Sequence, residues 1–126
     1  MEDLNLLAGW IGIALGFVAG AVQGLLFHRD AWLGGYASWP RRMLRLGHIS
    51  FFGLGFINLA FALSVPRLGG LDGLRVAAWL FVAGAALMPL CCYASAWRKG
   101  FRHLFFLPVV CLVIGAGLVL YRGLMR

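Results

Sequence analysis

Acidic residues are scarce: the 126 residues include only Glu2, Asp3, Asp30 and Asp72, and none lies inside a long apolar run. A proton- or cation-coupled transporter normally carries a carboxylate or similar relay within the membrane, and a serine–histidine–acid hydrolase needs an acid beside its histidine. Neither requirement is met. There are three cysteines, Cys91, Cys92 and Cys111, and no Cys-x-x-Cys, so a zinc or thioredoxin-like site is not indicated. Neighbouring helical residues point about 100° apart, so Cys91 and Cys92 are poorly disposed to share one metal. The glycine-rich stretch Leu68–Gly73 lacks the strand and the Lys-Ser/Thr pair of a phosphate loop. The alternation expected of a membrane barrel strand is also missing.

What is present is apolar. Hydrophobic residues make up 63% of the chain and charged ones 12%, with a mean hydropathy of +0.91. A soluble domain is about half apolar and a quarter charged. Four runs, Leu4 to Phe27, Leu46 to Val65, Leu74 to Ala96 and Leu104 to Tyr121, approach or exceed the roughly 20 residues that a helix needs to cross a bilayer. In lipid each backbone amide must be satisfied within its own element, so the runs are expected to be helices. The connections His28–Pro40, Pro66–Gly73 and Trp97–His103 are short, which makes neighbouring helices antiparallel. The expectation is an all-α, four-transmembrane-helix up-down-up-down bundle, a single integral membrane domain over 1–126. The first run opens on acids and is long for a signal core, so it reads as a retained helix. Pro40 suits the first turn of the second helix and Pro66 its end. Pro89 and Pro108 are expected to kink the third and fourth.

The net charge of +7 does not point to nucleic acid, because the cations sit in the short connections. The first and third connections hold Arg29, Arg41, Arg42, Arg45, Arg98, Lys99 and Arg102 against Asp30. The other side holds Arg67, Arg75, Arg122 and Arg126 with Glu2, Asp3 and Asp72. The positive-inside rule then puts both termini outside, in a bacterial inner (plasma) membrane. Trp32, Tyr36 and Trp39 recur at spacings of four and three and read as an interfacial anchor.

Two patterns carry candidate chemistry. Ala8, Gly12, Gly16, Gly20 and Gly24 form a glycine-zipper stripe along the first run. Small residues let backbones approach, which is how helices associate in lipid. The stripe is expected to pack against a helix of this chain, a helix of another membrane subunit, or a flat cofactor. The second pattern is Arg41, Arg45 and His48, spaced four and three and so on one helical face, continued by Gly55, Asn58 and Ala62. His28 and His103 fall at the same side. This layout suits a b-type haem: His48 and His103 would ligate the iron, Arg41 and Arg45 would meet the propionates, and glycine would leave room for the plane. The plainer alternative is that the arginines set topology and His48 bonds between helices.

Three functions follow, none of them catalytic by itself. The chain is a small subunit of an electron-transfer or respiratory-type assembly, a cofactor-free structural or assembly subunit of a membrane complex, or a small oligomeric channel or exporter with Asn58 and Gln23 near its path.

Overall fold

The computed structural model describes residues 2–125; Arg126, one of the cations in the charge count, lies outside them. The described chain is all-helical, with no strand. Four long helices account for most of it: α1 Glu2–Phe27, α2 Trp39–Ser64, α3 Arg75–Trp97 and α4 Phe106–Leu118. With the short turns that extend them, four stretches are long and apolar enough to cross a membrane: Asp3–Phe27, Trp39–Leu68, Arg75–Trp97 and Lys99–Leu124.

Local chemistry explains where the helices start and stop. Ser38 is extended at ψ 152° and caps α2, its hydroxyl accepting from the Arg41 amide at 3.4 Å, and Pro40 sits in the first turn where no amide is needed. The helix therefore begins seven residues before its apolar run. Its far end tightens into a 3-10 turn, Val65–Leu68, around Pro66, and Gly69 then reverses the chain at φ 84°. That left-handed conformation is accessible to glycine at little cost.

The fourth span is less regular than its apolar run suggests. A 3-10 segment, Lys99–Phe105, leads into α4, and a π turn, Val119–Leu124, follows it. Pro108 therefore lies in the first turn of α4, where a proline is tolerated, and not mid-helix where a kink would be needed. Proline has no amide to give the carbonyl four residues back, that of Leu104. The Cys91 thiol lies 3.7 Å from this oxygen and donates to it, tying α3 to the start of α4.

α1 and α2 pack antiparallel through their glycines. A methyl added at Gly12 would stand 3.0 Å from the Phe51 carbonyl oxygen. One at Gly16 would meet Phe52, and one at Gly20 would meet His48. Thus the stripe packs on a helix of the same chain. Gly24 faces open space, and Gly9 makes the contact at the other end, against Leu59 and Gly55. A four-residue repeat advances about 40° per step around a helix of 3.6 residues per turn, so the ends of the stripe are about 160° apart. They cannot face one neighbour together.

α3 packs on α2, and α4 packs on α3, where Gly84 receives Leu112 and Gly115 receives Phe81. α1 also reaches α3, and the bonds described below show that the two run in the same direction. The arrangement is compatible with an up-down-up-down order. The tightest core, Phe61, Val65, Leu74, Ala77, Ala78 and Phe81, lies at the end away from the arginine-rich connections.

Candidate functional site

The residues singled out for a cofactor lie at the arginine-rich end, but the structure gives most of them other partners. Arg41 is 2% exposed. Its Nη2 donates to the Phe27 carbonyl at 2.6 Å, and its Nη1 donates to the carbonyls of Asp30 at 3.2 Å and Arg29 at 3.4 Å. These oxygens belong to the end of α1 and the residues just after it, where carbonyls lack helical partners and the helix dipole favours a cation. The guanidinium also lies 4.8 Å from the Phe27 ring centroid and 5.9 Å from that of Trp32. Arg45 donates to the Tyr36 carbonyl at 3.0 Å and covers the Tyr36 ring at 4.2 Å. The two arginines lock the first connection onto α2.

The connection itself is irregular, with a 3-10 turn at Trp32–Gly34 and positive φ at Leu33, Gly34 and Gly35. Trp32, Tyr36 and Trp39 therefore do not form a continuous helical stripe. Each instead meets its own arginine: Arg41, Arg45 and Arg42 respectively. A guanidinium over an aromatic face within about 6 Å is attracted by the ring quadrupole. Sequence spacing alone suggested an anchor in the headgroup layer; the arginine partners emerge only from the fold.

His48 is half-buried and faces α1. Its ring meets Phe52 edge-on, with centroids 5.4 Å apart, and its Nε2 would be 2.5 Å from a methyl on Gly20. The imidazole thus fills the space that the glycine leaves. A porphyrin plane on Nε2 would have to displace α1, and a propionate would have to compete with three carbonyls for Arg41. His103 is exposed on the 3-10 segment before α4, and His28 is exposed just past α1. As placed, these residues do not form a fitting haem pocket. No group of three or more His, Cys, Asp or Glu side chains able to hold a metal ion occurs among the described residues.

The chain's two asparagines and one glutamine join helices. Asn5 and Asn58 are fully buried; Asn5 Nδ2 donates to Asn58 Oδ1 at 2.8 Å and to the Ala78 carbonyl at 3.0 Å. Asn58 Nδ2 donates to the Leu54 and Phe81 carbonyls at 3.0 and 3.1 Å. One amide pair therefore ties α1, α2 and α3. Near the opposite end, Gln23 Nε2 donates to Tyr93 Oη at 2.8 Å, again joining α1 to α3. Asn5 was not among the residues expected to matter. The available signal was that the only two asparagines each interrupt an apolar run.

Between these ties lies a concave feature. A groove of about 470 Å³ separates α1 from α3, with Phe51 of α2 contributing to its lining. Ala8 and Gly12 on one wall and Ala85 and Ala86 on the other are small, while Leu7, Ile11 and Leu90 are large and exposed beside them. Asn5 and Gln23 are about 27 Å apart along α1 at 1.5 Å per residue. The two ties thus bracket the groove. Compared with protein-family models, curated proteins and solved structures, the chain matches none of them.

Proposed function

We propose that this protein is a cofactor-free accessory subunit of a membrane complex, which receives a transmembrane helix of another subunit in the groove between α1 and α3. The observation that carries this reading is the groove itself, apolar and bracketed at both ends by this chain's own hydrogen bonds. Hydrophobic burial drives little helix association in lipid, so affinity comes from close van der Waals packing against small residues. Ala8, Gly12, Ala85 and Ala86 supply such a surface, and the larger side chains beside it supply shape that an acyl chain reads poorly. In this reading the arginine-rich end is cytoplasmic and both termini are outside.

The channel reading has less support, since Gln23 and Asn58 are both engaged between helices. An electron-transfer role with haem on His48 requires Arg41 and Arg45 to leave their carbonyls and α1 to move.

A photo-crosslinking residue at Ala86, exposed on the groove wall, tests the proposal in native membranes against the same residue at Val113, exposed on α4. The expected result is a discrete polypeptide adduct from Ala86 that Val113 does not give. Lipid adducts alone from both positions, or the same polypeptide from both, would overturn it.

A further inference from the structure

The arginine-rich end holds seven cations and, apart from Asp30, no acid, and the structure divides those cations into two groups. Arg41 and Arg45 are consumed by carbonyls and rings of the first connection. Arg29, Arg42, Arg98, Lys99 and Arg102 are exposed, and from Ala31 to the end of the sequence the sole carboxylate side chain is Asp72, at the opposite end of the bundle. The rule that sets topology requires such charges to lie on one side, but not to converge.

Two of them, Arg42 and Lys99, do converge, on Trp39. Its indole Nε1 donates to the Ser95 carbonyl at 2.8 Å, which fixes the ring between α2 and α3. Arg42 Cζ lies 5.7 Å and Lys99 Nζ 5.1 Å from the ring centroid, so the two cations are separated by no more than these distances together. Lys99, Gly100, Arg102 and His103 line a shallow pocket of about 280 Å³ beside them. Nothing lies within 4 Å of where a methyl on Gly100 would stand, so the backbone there is open to a ligand. Immediately below, α4 shows Phe106, Val109, Val110 and Val113 to the exterior. A cationic rim over an apolar helix face complements a molecule with a phosphate at one end and acyl chains at the other.

We infer that the Lys99–His103 segment, with Arg42, is a binding site for the phosphate of an anionic phospholipid whose chains lie along α4. The phosphate is the recognised group. Lys99 and Arg102 give it charge-assisted hydrogen bonds, and Arg42, held over the same indole as Lys99, adds positive charge nearby. The site is separate from the α1–α3 groove and does not depend on a partner helix.

Native mass spectrometry of the whole protein in neutral detergent, with equal amounts of phosphatidylglycerol and phosphatidylcholine, tests the inference. Retained adducts should be mainly phosphatidylglycerol. Each basic residue near an anionic headgroup contributes about fivefold in affinity, so Lys99→Ala/Arg102→Ala should lower retention about thirtyfold. Both side chains are exposed, and unchanged circular dichroism verifies that the variant is folded. Arg67→Ala/Arg75→Ala, at the other end, should retain the lipid as before. Equal adducts of both lipids, or full retention by the Lys99/Arg102 variant, would overturn the site. Displacement of phosphatidylglycerol by millimolar inorganic phosphate would overturn the lipid assignment in favour of a free-phosphate site.

Discussion

Adding one methyl at Gly55 tests how closely α1 and α2 are held, because the nearby control at Gly53 separates packing from helix propensity. A Cβ at Gly55 would stand 2.9 Å from the Gly9 carbonyl oxygen and 3.3 Å from the Ile13 amide nitrogen. Both are backbone atoms of α1, so the clash is relieved only by moving the helix. Opening the contact by half an ångström forfeits about a quarter of each atom-pair attraction of about 0.15 kcal/mol, or about 1 kcal/mol over a few tens of pairs. Overpacking costs about 1–3 kcal/mol in general, and alanine returns about 0.5–1 kcal/mol of helix propensity. Gly55→Ala should therefore destabilise the bundle by about 1–2 kcal/mol. At Gly53 nothing lies within 4 Å of the added methyl, so Gly53→Ala should be stabilising by up to about 1 kcal/mol. Reversible unfolding in mixed micelles, followed by far-UV circular dichroism, reads both. Equal effects at the two positions would refute the close α1–α2 contact.

The amide ties should behave as a unit. Asn5→Leu and Asn58→Leu should each cost about 0.6–1.7 kcal/mol, and the double variant should cost less than their sum, as a double-mutant cycle in the same micelles would register. Removing the Arg41 guanidinium should matter more: Arg41→Ala leaves three carbonyls without their donor and should cost about 2–4 kcal/mol, with faster hydrogen exchange over residues 27–38. Arg41→Lys should recover only part of this, because one ammonium cannot match the planar fork. The accessory-subunit reading expects a featureless reduced-minus-oxidised visible spectrum from the purified protein. A b-type band that disappears in His48→Ala would restore haem as its cofactor.

Fold class was legible because the bilayer makes it a local matter. A backbone in lipid must satisfy its own amides, so apolar length alone announces helices, and Ser38, Pro40 and Pro66 mark where the second begins and ends. The candidate site was legible only as a set of residues. Arg41, Arg45 and His48 share a face in any helix, yet that face meets the end of α1, and the chemistry of its partners turns two apparent anion binders into a carbonyl cap and a ring contact. Sequence spacing cannot reveal this, because the carbonyls of Phe27, Arg29 and Asp30 become acceptors only where α1 stops beside α2.

By itself, then, the sequence determined the number of helices, their approximate ends and the segregation of cation-rich connections to one side. These follow from hydrogen bonding and charge within a few residues of each position. Tertiary structure alone decided which part of the glycine stripe makes contact, since a four-residue repeat drifts around the helix and only a neighbour's position selects the glycines that matter. It also decided that Asn5 meets Asn58, that the Leu104 carbonyl, denied an amide donor by Pro108, finds a donor in Cys91, and that Arg42 and Lys99 share one indole. Each of these joins groups far apart in the chain, and distance in space is what local chemistry does not encode.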